Sequence, residues 1–319
     1  MSEIQTTRGD DPDIRVFYFS PTLLTPSGSP FALKLLTYLR MTGLKYKTFH
    51  SLKTSSKRKL PFISFKGKEM GDSTFIMQFL NKEFNKDLNS SLSSVEKAAS
   101  VAFQRLCEEN LYWCMVHDRW TLHTERFLEQ LVMHKFKKRV IAAYALVHFR
   151  RLQKANLYGH GIGRHSNKEI FEIGERDLAA LSDFLADKKF FMGSEPTEVD
   201  CTVFGTVEQF IECLPGSKYE KLIKEKFSNL IAYTERMKEK FWPDWREQCA
   251  QKKIKQKSES QPKPDKENGT SKEEAKGKDQ SESADDAQRL SVENNTTDGE
   301  HTHASRDDIS SENEPILTQ

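Results

Sequence analysis

Residues 59–75 read "KLPFISFKGKEMGDSTF". Phe62, Ile63 and Phe65 form a short β-rich run, and Gly67 sits between lysines at a tight turn. A second short strand follows, and a helix opens at Asp72-Ser73. The first run begins just after Pro61, which has no backbone N–H to offer a neighbouring strand. A proline placed after a loop and just before a strand is a candidate for a cis peptide. A cis bond there turns the backbone of Leu60 outward, where its N–H and C=O can pair with an extended peptide. Asp72 and Ser73 present a carboxylate, a hydroxyl and free N–H groups near the same place, although helix capping alone accounts for both. The preceding loop supplies Lys53, Lys57, Arg58 and Lys59, which either hold a second carboxylate or remain solvated. Together these residues suit a peptide-like ligand with an ammonium and two carboxylates.

Upstream, "IRVFYFS" (14–20) reads as a buried strand. In "SPFALKLLTYLRMTG" (29–43), Ser29 is a good N-cap, Pro30 suits the first helical position and Gly43 suits the stop. Phe31, Leu35, Leu36 and Leu39 make an apolar face, and "KYKTFHSL" reads as a weaker strand. The order over the first 85 residues is therefore βαβ followed by ββα, with Phe75, Ile76, Phe79 and Leu80 as the expected buried stripe of the last helix.

From Ser93 the pattern is helical throughout. Val95, Ala99, Ala102, Leu106 and Trp113 predict one long helix reaching toward Trp120, and helical periodicity continues over 125–154. The glycine-rich "YGHGIGRHS" interrupts it. Ser166 with Glu169, and Thr197 with Asp200, predict two capped helices. The stretch "GHGIGRH" lacks the Lys-Ser/Thr pair and the preceding strand of a phosphate loop. These signals define an α/β domain over 14–86 and an all-helical domain over 93–249.

Residues 250–319 differ from the rest. They contain no Phe, Trp or Tyr, and carry 11 basic and 16 acidic residues. Such a segment cannot bury enough surface to offset its ordering entropy, so a disordered acidic tail is expected. The first 249 residues keep 38 basic and 31 acidic residues and all 33 aromatics, enough for a sizeable core. This charge is mild and asks for no nucleic-acid partner. Five cysteines without a CxxC point away from a disulfide framework or zinc site, and no metal site is expected. The start "MSEIQTTRGDDPD" is not a signal peptide, and the longest apolar run, "VIAAYALVHF", is too short to span a bilayer. No transmembrane segment and a cytoplasmic, reducing setting are expected. Basic runs at 135–139 and 252–257 resemble nuclear-import patches, but such clusters are common on solvated faces.

The stretch "LPFISFKGKEMGDSTFIMQFL" resembles the glutathione-binding half of the glutathione transferase fold, a thioredoxin-like domain followed by a helical one. "MGSEPTEVDCTVFG" resembles the capped helix of the second domain. "SPFALKLLTYLR", "GHGIGRHS" and "FFMGSEPTEVDCTVFG" are similar to hallmarks of one subgroup, the failed-axon-connections proteins, related to metaxins and to cadmium-responsive nematode proteins. The resemblance covers roughly residues 14–245. Some relatives carry an N-terminal membrane anchor, from which this sequence departs. The resemblance implies Pro61 as the cis-proline, Leu60 pairing the cysteinyl backbone of glutathione, and Asp72 and Ser73 facing its γ-glutamyl end. It implies Lys53 or a neighbouring basic residue facing the glycyl carboxylate, and glutathione as cosubstrate with no other cofactor. Dimerisation is usual for this fold, which implies a homodimer.

Cysteine-type relatives begin the first helix with a reactive cysteine in "C-P-F-A". Here the sequence is "S-P-F-A", so Ser29 occupies that place. A hydroxyl that donates to a bound thiolate favours the charged form, and the helix N-terminus adds positive potential. Ser29 can therefore activate a bound thiol, but it cannot form the mixed disulfide a cysteine would. Tyr18 and Ser20, near the end of the first strand, are rival hydroxyls. The other function the resemblance implies is a non-catalytic scaffold or adaptor with protein partners, in axon development or membrane-associated transport.

Overall fold

The computed structural model describes residues 13–131 and 139–250. The acidic tail, the basic run at 252–257 and most of that at 135–139 lie outside the described residues.

The chain opens with β1 (Ile14–Tyr18), α1 (Pro30–Thr42), β2 (Tyr46–His50), β3 (Phe62–Phe65), β4 (Lys68–Gly71) and α2 (Ser73–Phe84). The sheet order is β2-β1-β3-β4, with β1 and β2 parallel and the other neighbours antiparallel. This is the expected βαβ-ββα order, and the β2–β3 connection is the basic loop rather than a helix. Alternation along β1 puts Ile14, Val16 and Tyr18 into the core, while Phe17 stacks between Phe49 and Phe62 on the other face.

Ser29 caps α1, Pro30 begins it, and Gly43 ends it in the left-handed conformation that glycine adopts freely. The helix is buried on nearly every side because the sheet lies under one face and α8 (Glu198–Ile211) crosses the other. Gly205 makes that crossing close: a Cβ there would lie 2.8 Å from the Pro30 carbonyl oxygen.

The stripe of α2 differs from expectation. Ile76, Met77 and Leu80 are buried, Phe79 is half-buried, and Phe75 is 55% exposed. Phe79 packs at the edge of the core, its ring 5.5 Å from that of Phe65, whereas Phe75 faces solvent and the Lys57 ammonium covers its ring at 4.7 Å.

The long helix after Ser93 is α3 (Ser94–Arg105), π-helical turns over Leu106–Leu111, α4 (Tyr112–His117) and further π-helical turns over Asp118–Leu122. Each π turn resets which side chains face inward. Within α3, before any π turn, Val95 and Ala102 already lie on the solvent side, and Cys107, Leu111 and Cys114 form the buried line further along. The predicted helix over 125–154 is broken: α5 (Thr124–Gln130) ends at Leu131, and α6 (Arg139–His160) runs into the glycine-rich stretch. The remaining helices are α7 (Asn167–Leu185), α8, α9 (Lys218–Lys226), α10 (Ser228–Phe241) and α11 (Trp245–Gln248). Both capping boxes form, at Ser166–Glu169 and Thr197–Asp200. Ile14, Leu35, Ile63, Cys107, Phe204 and Leu230 belong to one continuous core beneath both parts.

Candidate functional site

The Leu60–Pro61 bond is cis. Pro61 is buried, and the backbone of Leu60 makes no hydrogen bond among the described residues. Phe62 pairs with Gly71 across the β3–β4 ladder, which brings Asp72 beside Pro61. Asp72 has φ 86° and caps α2: Oδ1 accepts from the N–H groups of Thr74 at 3.1 Å and Phe75 at 3.4 Å. Its other carboxylate oxygen faces Lys59 Nζ at 3.7 Å. Ser73, the first residue of the helix, is buried beside it. Lys53 lies elsewhere on the loop, highly exposed and 3.9 Å from Glu69. Of the two lysines, the fold brings Lys59 to Asp72.

Ser29 is half-buried at the start of α1, where its Oγ accepts from Ala32 N–H at 3.4 Å. Its hydroxyl proton has no partner among the described residues. The rival hydroxyls stand differently. Tyr18 is 2% exposed, and burial pushes its phenol well above the ordinary range. Ser20 is exposed on the loop.

Polar contacts that sequence reading did not single out fasten this site to the helical part. Lys34 is buried, and its Nζ donates to Glu108 Oε1 at 2.6 Å and to Thr74 Oγ1 at 2.8 Å. Gln104 Nε2 donates to the same Thr74 oxygen and to Glu108 Oε2, at 2.8 and 3.0 Å. The start of α2 is thus tied to α1 and α3. The loop into Ser29 is held likewise. Gln209 Nε2 and Thr25 Oγ1 donate to the Ser27 carbonyl at 3.0 and 2.9 Å, and Arg119 Nη1 donates to the Gly28 carbonyl at 2.7 Å. A lysine inside "FALKLL" was the one visible signal for this network, since an amphipathic helix does not normally bury a lysine. Beneath Phe31 the gap between Lys34 of α1 and Cys107, Tyr112, Thr202 and Thr206 is closed, with no room for a water molecule.

The glycine-rich stretch forms no ligand cluster. His160 stacks on Trp113 and contacts the Glu109 carbonyl oxygen at 3.0 Å, while Arg164 lies over the Tyr158 ring. No group of three or more His, Cys, Asp or Glu side chains suited to a metal ion occurs among the described residues. No helix among them is long and apolar enough to cross a membrane.

A four-stranded βαβ-ββα layer joined to a helical part, with a cis-proline facing a capped helix start, defines the glutathione transferase class. Comparison with known proteins agrees. Residues 30–126 match the glutathione S-transferase N-terminal domain, and residues 174–237 match the glutathione S-transferase C-terminal domain. The chain is 34% identical over 249 residues to Failed axon connections of Drosophila melanogaster, a match covering 74% of this chain and 60% of that protein. It is 32% identical over 241 residues to isoprene-epoxide–glutathione S-transferase of Rhodococcus sp. strain AD45, covering 72% of this chain and 99% of that protein. It is 23% identical to metaxin-2 of Mus musculus, covering 69% of this chain and 84% of that protein. The solved structure of the beta-etherase LigF from Sphingobium sp. strain SYK-6 shares the fold, with a TM-score of 0.50 at 16% identity over 71% of this chain and 95% of that one. The chain belongs to the glutathione S-transferase family, and it is also similar to Failed axon connections and the metaxins.

Proposed function

We propose that the protein binds glutathione at the start of α1 and α2 and activates its thiol for conjugation to a small electrophile. Ser29 donates the activating hydrogen bond. Leu60 pairs the cysteinyl backbone, Asp72 and Ser73 take the γ-glutamyl end, and Lys53 or a neighbouring basic residue of the loop faces the glycyl carboxylate. The observation that carries this reading is the state of Ser29. Its oxygen is engaged by Ala32 N–H, so its proton is left to donate, at a helix N-terminus that itself favours an anion. The Rhodococcus relative, matched over nearly its whole length, bears the name of a glutathione S-transferase acting on an epoxide, which supports an epoxide as the first electrophile to assay.

The test is calorimetric titration with glutathione, followed by conjugation of a short alkyl epoxide, on wild type and Ser29→Ala. Binding at or below millimolar glutathione is expected. Ser29→Ala is expected to keep binding and lose about 10- to 100-fold in kcat/KM, the worth of one hydrogen bond to a charged group. Absence of binding at millimolar glutathione overturns the reading and leaves the non-catalytic adaptor. Turnover unchanged in Ser29→Ala keeps the enzyme and removes Ser29 from the role.

A further inference from the structure

Arg119 is 3% exposed in the second π-helical segment, Asp118–Leu122. Its Nη1 donates to the Gly28 carbonyl, and its Nη2 donates to Gln209 Oε1 at 2.8 Å and to the Gln209 carbonyl at 3.4 Å. The guanidinium carbon lies 4.6 Å from the centroid of the Phe127 ring. Nε is buried without a hydrogen-bond partner. Among the described residues no carboxylate pairs with this guanidinium. Asp118, the buried acid beside it in sequence, contacts His123 Nδ1 at 3.1 Å and lies within electrostatic reach of Arg119 and Arg126, whose charges favour its ionised form against the effect of burial. The other titratable groups near it, Tyr112 and Cys213, are held neutral by burial. On the neighbouring side Lys34 is neutralised by Glu108. Arg119 is therefore a buried cation with no ion-pair contact of its own, and its shortest hydrogen bond goes to the peptide that leads into residue 29.

A buried charge is costly to desolvate, and an arginine that serves only to hold a carbonyl can be replaced by a neutral donor. What the charge adds is potential. In a poorly solvated interior it acts over a peptide's length with little screening, in the same direction as the N-terminus of α1. We propose that Arg119 is the positioning and electrostatic residue of the site at residue 29: with Gln209 it fixes the Ser27–Gly28 backbone, and its charge favours a thiolate seated beside residue 29. The inference rests on residue 29 being the seat of the thiol. It also assigns part of the thiol activation to the helical part of the chain.

The test does not need glutathione. Ser29→Cys places a thiol at the position itself, and its pKa is read from the pH dependence of alkylation by iodoacetamide, followed by mass spectrometry of the peptide containing residue 29. The five native cysteines are all buried, and burial raises the pKa of each, so they alkylate slowly in the folded chain. The introduced thiol is expected to titrate at least about one unit below the ordinary value of about 8.5. Adding R119Q to S29C is expected to raise that pKa by about one unit, a tenfold smaller thiolate fraction at low pH. S29C/R119K keeps the charge with fewer donors, and is expected to retain the depressed pKa. A thiol in S29C that titrates at or above 8.5 overturns the proposal, whether or not R119Q folds. So does a pKa unmoved by R119Q, or one raised by R119K to the ordinary value. Failure of glutathione to bind the wild-type chain overturns the proposed function and leaves this measurement intact, so the two results are read separately.

Discussion

Replacing Lys34 by methionine probes the tie between the two parts of the site. The Lys34 and Glu108 side chains are 3% and 8% exposed, and their charged atoms are 2.6 Å apart. Lys34→Met fills a similar volume, but leaves Glu108 buried with Gln104 as its close donor and the exposed Arg105 at 3.7 Å. Removing one partner of a buried ion pair costs about 3–5 kcal/mol because the other charge stays desolvated. Thr74 loses one of its two donors as well, which adds about 1 kcal/mol at most. The double variant Lys34→Met/Glu108→Met removes both charges, and is expected within about 2 kcal/mol of wild type. The coupling between the sites should then exceed about 2 kcal/mol in a double-mutant cycle. Urea unfolding followed by tryptophan fluorescence supplies the free energies. Hydrogen exchange at the N–H groups of Thr74 and Phe75 reports whether the start of α2 loosens, as loss of the Lys34–Thr74 bond requires. A loss below about 1 kcal/mol in Lys34→Met, or additive single and double variants, refutes the reasoning.

Gly205→Ala puts a methyl group against the Pro30 carbonyl, backbone against backbone, so neither helix yields cheaply. A loss of about 1–3 kcal/mol is expected in the same unfolding assay, with a weaker response of any activity that depends on Ser29 one residue away. Glu208 is fully buried, and burial pushes its carboxyl up to about 8 against the opposing pull of Lys238. Its folded pKa lies above the unfolded value, so the folded state binds the extra proton between pH 4.5 and 8 and stability falls as pH rises through that window. The slope of the wild-type minus Glu208→Gln difference should approach about 1.4 kcal/mol per pH unit, and equal slopes for the two proteins would remove Glu208 from the pH dependence.

Much of the framework was legible because local chemistry repeats it. Ser29-Pro30 and Gly43 mark both ends of α1, and Ser166 with Glu169 and Thr197 with Asp200 mark the starts of two more helices. Pro61 and the Asp72-Ser73 turn were readable for the same reason. Face assignments were less readable. Phe75 carries the same apolar signal as Ile76, yet only the packing of α2 on the sheet decides which one is buried. Val95 was placed on the inward stripe, but α3 turns it to solvent and buries Ser100, and the helix then changes to π-helical turns from Leu106. No residue type announces a π turn.

The sequence alone determined the strand and helix order, the caps and the serine standing where relatives of the cysteine type have a thiol. These depend on residues within a few positions of one another, through hydrogen bonds and backbone preferences that act locally. Only the tertiary structure decided which lysine meets Asp72 and which cations stand behind residues 29 and 74. Lys34 reaches Thr74 across 40 positions, and Arg119 reaches Gly28 across 91. Contacts at such separations are set by how α1, α3 and α8 pack, and in the sequence Arg119 is one charge among many. Its significance comes from its burial against the Gly28 carbonyl, which exists only once the chain has folded.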